Sequence, residues 1–147
     1  MLEEKHLHQF LSAIDAFSEV SPETLDKLAS AFHERSCHPG EVVICQGARS
    51  TELYIVVEGE LSVTIAEKGD TGGGSETETS REVATLKTGD LFGEIGVISG
   101  MQASATVAAS MEGCRVLTLG ERKLHDQVLR NSPNLAAGLL RSMKRYL

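Results

Sequence analysis

The chain has 147 residues, 41% hydrophobic and 24% charged, with no tryptophan and a net charge of -7. That length suffices for one domain with a buried core and is short for two, and no apolar run reaches the roughly 18 residues of a membrane helix. The acidic balance argues against a sequence-independent nucleic-acid binder, which needs clustered cations.

The start, Met1-Leu2-Glu3-Glu4, carries two acids and no following apolar stretch, so no secretory leader is expected and a cytoplasmic location is. Leu7, Phe10, Leu11, Ile14 and Phe17 fall at helical spacing and predict one amphipathic helix over residues 2–17. Ser21-Pro22 reads as an N-cap with proline at the first helical position, and Leu25, Leu28, Ala29 and Phe32 continue an apolar face.

Pro39-Gly40 breaks the helical period and opens a β-rich region that runs to about Leu119. Val42–Cys45 and Leu53–Val57 read as strands, and Leu61, Val63 and Ile65 alternate with polar or small residues as a half-buried strand does. Gly40, Gly47, Gly59 and Gly89 lie between these runs, where turns need positive φ. Lys68 to Ser80 has no apolar residue and three consecutive glycines, which predicts a hairpin loop. Val83–Leu86 and Cys114–Leu119 supply further strands. Ser132-Pro133 repeats the earlier cap and begins a last helix, with Leu135, Leu139, Leu140, Met143 and Leu147 on one side. Residues 121–147 carry six cations against two acids, a basic stretch that serves as a solvated face, rests on the acidic body, or meets a membrane surface or an acidic partner.

Three cysteines (Cys37, Cys45 and Cys114) without a Cys-x-x-Cys spacing predict free thiols and no zinc site. His33, Cys37 and His38 fall short of the four convergent ligands of structural zinc, so no metal is expected.

The densest chemistry lies between Lys87 and Val107. Phe92-Gly93-Glu94 opens a short apolar segment whose first-turn amides are suited to face an anion. Gly93 permits close approach to the main chain, Glu94 is an acceptor for sugar hydroxyls, and Ser104 and Thr106 add donors. A glycine-rich turn with Glu94 in solvent is the alternative reading.

Pro39-Gly40-Glu41-Val42, Gln46-Gly47, Leu53 to Glu60, Gly89-Asp90 and the Phe92–Val107 stretch stand in the order and rough spacing of the cyclic-nucleotide-binding domain family. From Ser21 to Leu147 the chain resembles that family. The resemblance implies a mainly β fold, a β-roll of double-stranded β-helix or jelly-roll type over residues 34–120, with N-terminal helices in 1–33 and C-terminal helices in 121–147, all one domain. It implies a phosphate-binding cassette at 92–107, so the expected ligand-binding residues are Phe92, Gly93, Glu94, Ile95, Ala103, Ser104, Ala105 and Thr106. Glu94 matches the partner of the ribose 2′-hydroxyl, and Ser104 the residue that offers its amide to the cyclic phosphate. The ligand so implied is cyclic AMP or cyclic GMP, with no resident cofactor.

Ala103 stands at the family's arginine position. A hydrogen bond to a charged group contributes on the order of 1.5–3 kcal/mol, so affinity is expected to fall roughly ten- to two-hundredfold. Gln102, Arg49, Arg81, Lys87 and Arg115 are the side chains available to compensate. The resemblance further implies C-terminal helices that move over the pocket, with Leu139, Met143 and Tyr146 as candidates to cover a base. Ordinary packing or a homodimer seam explains the same stripe. The expected role is a non-catalytic regulatory sensor whose output domain or partner protein lies outside this chain, with no helix-turn-helix for DNA in it. A degenerate interaction or oligomerisation module is the alternative. A cupin-like metal enzyme would need a His-x-His pair that the sequence lacks.

Overall fold

The computed structural model describes residues 4–70, 76–128 and 132–142. Helix α1 (Glu4–Ser12) ends earlier than its apolar spacing predicts. Ile14 takes an extended conformation (φ -81°, ψ 129°), and a 3-10 turn follows at Asp15–Phe17. The break folds the chain back so that Ile14 and Phe17 are both buried. Helix α2 (Pro22–Ala31) begins as its cap predicts: Ser21 Oγ accepts the Thr24 N–H at 3.2 Å, and Pro22 occupies the first turn where no donor is needed.

The strands are β1 (His33–Cys37), β2 (Val42–Ile44), β3 (Glu52–Asp70), β4 (Glu76–Leu86), β5 (Leu91–Phe92) and β6 (Thr106–Gly120). All pair antiparallel in the order β1-β6-β3-β4, with β2 also on β6 and β5 on β3. This is the mainly β architecture with helices at both ends that the sequence implies, and the sheet does not close.

Two strands are longer than the glycines suggest. β3 runs through Glu58-Gly59, where the sequence predicts separate strands, and β6 runs through Glu112-Gly113. The register slips on either side of Gly59, so positive φ (+86°) makes a bulge here and the strand bends without ending. A Cβ at Gly59 would stand 2.7 Å from the Gly113 carbonyl oxygen, so the two bends must nest closely. The polar 68–80 segment is likewise strand at its flanks, with Lys68 opposite Glu78 and Asp70 opposite Glu76, because ladder hydrogen bonds need only backbone.

Strand alternation divides the core in two. Leu53 and Ile55 of β3 face a helical cluster with Leu11, Phe17, Leu28 and Leu119. Tyr54 and Val56 face the interior of the roll with Leu61, Val63, Leu86, Phe92 and Val107. After β6 come α4 (Glu121–Lys123), a π-helical turn (Leu124–Val128) and α5 (Pro133–Ser142). Ser132 Oγ accepts the Leu135 N–H at 3.4 Å, so the second serine-proline pair also caps a helix.

Helix α5 lies against the 3-10 turn so closely that a Cβ at Gly138 would overlap the Ala16 carbonyl oxygen. Leu135 and Leu139 are fully buried there, so Leu139 packs in the helical core and does not cover the pocket. Leu140, expected on the same apolar side, is 55% exposed. Met143, Tyr146 and Leu147 lie outside the described residues.

Candidate functional site

Phe92 begins the site. It pairs with Tyr54 across β5 and β3, and the two rings stack with centroids 4.7 Å apart and planes 6° from parallel. Tyr54 donates its hydroxyl to Glu52 Oε2 at 2.8 Å. Burial, and then that carboxylate, push the tyrosine pKa well above its ordinary value.

Gly93 then turns the chain with φ +82°, and a side chain there would overlap the Glu52 carbonyl oxygen. Helix α3 (Glu94–Ser99) follows, stopped by Gly100 at φ +73°, whose N–H returns to Gly96 O at 3.1 Å. A Cβ at Gly96 would stand 2.5 Å from the Ser50 carbonyl oxygen, so the helix lies directly on the 50–54 backbone. Glu94, in its first turn, is only 4% exposed. The alternative of a solvated Glu94 is not what the fold builds.

The second half of the cassette is fixed by backbone. Ala103 N–H donates to Ala48 O at 2.7 Å, and Gly47 N–H donates to Ala103 O at 2.8 Å. Thr106 Oγ1 accepts the Gln46 N–H at 3.0 Å, while the Gln46 side chain bridges to Ala66 N and O at 2.8 and 3.2 Å. Gln46 is thus the buttress of the cassette, a role its place beside Gly47 in the sequence did not disclose.

Between the two halves opens a cleft of about 490 Å³, its open mouth included. Phe92, Gly93, Glu94, Ile95, Ala103, Ser104 and Ala105 line it, so seven of the eight expected residues converge on one space. Thr106 is not in the lining and spends its hydroxyl on Gln46. Ile44, Val63, Leu86 and Val107 complete the apolar wall, and Ser50 and Gly96 the helix side. Strand alternation foretells that Val63 and Val107 face inward; nothing local marks Ser50.

The cations named as substitutes for the missing arginine are not in that lining. Arg49 Nη2 pairs with Glu121 Oε1 at 2.6 Å, Arg81 with Glu67 at 3.3 Å, and Arg115 with Glu34 and Glu58 at 3.3 and 2.8 Å. Lys87 and Gln102 are exposed. Elsewhere, Cys37 and Cys114 are register partners on β1 and β6, both buried and free, and Cys45 is exposed. Among the described residues no cluster of His, Cys, Asp or Glu fits a metal ion, and no helix is long and apolar enough to cross a membrane.

The sequence profile of the cyclic nucleotide-binding domain matches residues 34–131, two thirds of the chain and all of the cassette. The chain belongs to the cyclic nucleotide-binding domain family. The curated relatives it matches include regulatory subunits of cAMP-dependent protein kinases and cGMP-dependent protein kinases. A cAMP-dependent protein kinase regulatory subunit from Yarrowia lipolytica is 35% identical over 112 residues, covering 76% of this chain and 27% of that protein. The regulatory domain of Toxoplasma gondii protein kinase A, solved with cAMP, superposes with a TM-score of 0.77 at 22% identity, covering 94% of this chain and 48% of that one. The regulatory subunit of a cAMP-independent protein kinase A from Trypanosoma cruzi, solved bound to guanosine, gives 0.73 at 23% identity, covering 94% and 45%. The domain thus spans about a quarter of the Yarrowia protein and about half of the two solved chains.

Proposed function

We propose that this domain is a non-catalytic ligand sensor whose cleft signals through the C-terminal helices to an output partner, as the kinase-regulatory relatives suggest. The observation that carries it is the convergence of Phe92–Ile95 and Ala103–Ala105 on one cleft, with Glu94 buried in its lining. A ligand that prefers one placement of α4 and α5 over another shifts their population by that preference. The C-terminal segment is tied to the cassette side at two points, Arg49 to Glu121 and Val97 to His125.

Binding of cyclic AMP or cyclic GMP is weak in this reading, because Ala103 leaves the phosphate without its guanidinium. Calorimetric titration of the domain with both nucleotides, carried to millimolar ligand at fixed salt, tests it. Ala103→Arg is expected to tighten cyclic nucleotide binding roughly ten- to two-hundredfold, as a charge-assisted hydrogen bond requires. No gain in a folded Ala103→Arg protein would sink the arginine argument. Ala103 and the exposed Leu140 on α5 favour a second reading, an interaction or dimerisation module, which silence toward every ligand would support.

A further inference from the structure

Cys37 and Cys114 stand directly opposite each other, as the last register pair of the antiparallel ladder between β1 and β6. Opposed residues in such a ladder have Cα atoms about 4.5 or 5.5 Å apart, and a disulfide spans Cα separations of about 4.4–6.8 Å. Either spacing can be bridged without sliding one strand past the other. Cys37 is also the last residue of β1, so no further rung of that ladder holds it back from its partner. Both thiols are buried and free, and both line a surface recess with Gly59 and Gly113, two residues that put no side chain over them.

The two sulfurs are not equivalent. Burial raises both pKa values; against it, Cys114 and Arg35 favour the Cys37 thiolate, whereas Cys37 adds to the rise on Cys114. Glu41 opposes ionisation of both. Cys37 therefore ionises first, and the thiolate is the attacking species in disulfide exchange.

We propose that Cys37 and Cys114 form a redox site that closes to an intramolecular disulfide by exchange with a low-molecular-weight disulfide such as oxidised glutathione. The Cys37 thiolate attacks one sulfur of that reagent, forms a mixed disulfide and releases one small thiolate. Cys114 then yields its proton to solvent and attacks the Cys37 sulfur, and the second small thiolate leaves. The protein loses two electrons and two protons, and the reagent takes them up as two thiols. Burial keeps the thiolate fraction low, so the pair follows a sustained oxidising poise and not a brief pulse. The new bond closes a loop from residue 37 to residue 114 that contains the whole cassette, and so stabilises the frame around it. Neither cysteine lines the cleft, so the inference stands apart from the sensor reading.

The test holds the whole folded chain at about pH 8 in glutathione buffers of graded oxidised-to-reduced ratio until its composition is constant. Acid quenching, alkylation in denaturant and peptide mass mapping then give the pairing. The expected result is that the Cys37 and Cys114 thiols disappear together into one intramolecular disulfide. The oxidised protein should melt at least about 5 °C above the reduced one, and dithiothreitol should reverse the rise. Cys45→Ser, at an exposed position, is expected to form the same bond without adducts at that thiol. Cys37 and Cys114 still open to alkylation at the most oxidising ratio overturn the inference, as does pairing of either with glutathione or Cys45 in place of the other. An oxidised form that melts no higher than the reduced one overturns it too, because the native ladder would then not accommodate the bond.

Discussion

His125 Nε2 donates to the carbonyl oxygen of Val97 at 2.9 Å, joining the π-helical turn to the cassette helix α3. The two residues are 28 apart in sequence. Four residues before His125, Glu121 holds Arg49, whose Nε lies 3.7 Å from where a Cβ of Gly100 would be, at the C-terminal end of α3. The C-terminal half of the cassette helix is therefore next to groups bonded to the C-terminal segment. A ligand that moves α3 would act on the His125–Val97 hydrogen bond, which joins that helix to the C-terminal segment.

His125→Ala removes the Val97 tie and leaves a partly buried carbonyl to water. A neutral hydrogen bond is worth about 0.5–1.5 kcal/mol net, so the thermal midpoint is expected to fall by a few degrees. Ligand affinity at the cleft should change less than the ligand's effect on the helices. Amide exchange in residues 121–128, with and without ligand, checks it: in the wild type protection changes on binding, and in the variant that response is lost. An unaltered response would remove His125 from the coupling.

How much of this was legible beforehand depended on whether the signal was local. Ser21-Pro22 and Ser132-Pro133 are local, and both cap helices. The inward set Leu61, Val63 and Ile65 is local too, and all three are buried. The Phe92–Ala105 residues were readable as a group because glycine, carboxylate and hydroxyl spacing survives in the chain. Gly59 misled, because positive φ serves a bulge as well as a turn, and only the facing strand decides between them. The Arg49–Glu121 pair spans 72 residues and Ser50 meets Gly96 through backbone, so neither leaves a pattern that a one-dimensional reading can find.

Cys37 and Cys114 make stability fall in alkali. Burial pushes both thiols up, Cys114 to about 12 with the neighbouring Cys37 adding to the rise. Unfolded thiols release their protons near pH 8.5, so between there and about 12 the unfolded chain binds fewer protons than the folded one, and unfolding free energy declines as pH rises. Each retained proton steepens that decline by about 1.4 kcal/mol per pH unit, and the raised Tyr54 acts in the same sense above about pH 10. Urea unfolding between pH 8 and 11 is expected to show the loss, with a shallower slope in Cys114→Ala. A disulfide reagent at pH 8 should label the exposed Cys45 first. Equal slopes in wild type and Cys114→Ala would contradict the assignment.

Gly96→Ala sets two effects against each other. Alanine in place of glycine favours a helix by about 1 kcal/mol. Against that, the new Cβ would stand 2.5 Å from Ser50 O and 2.7 Å from Ser50 N, both backbone atoms that cannot rotate aside. Overpacking against a fixed neighbour costs about 1–3 kcal/mol, and with three Ser50 atoms inside contact distance the upper part of that range applies. The net expectation is destabilisation of about 1–2 kcal/mol with α3 lifted from the 50–54 backbone. Because Gly93, Glu94 and Ile95 ride on the same helix, the cleft should lose its shape with it. Chemical unfolding gives the stability, and titration with the ligand that wild type prefers gives the site: affinity is expected to fall more than tenfold while circular dichroism stays that of the folded sheet. A variant as stable as wild type with affinity intact would mean that the cassette helix floats free of Ser50 in solution, and that the cleft does not depend on their contact.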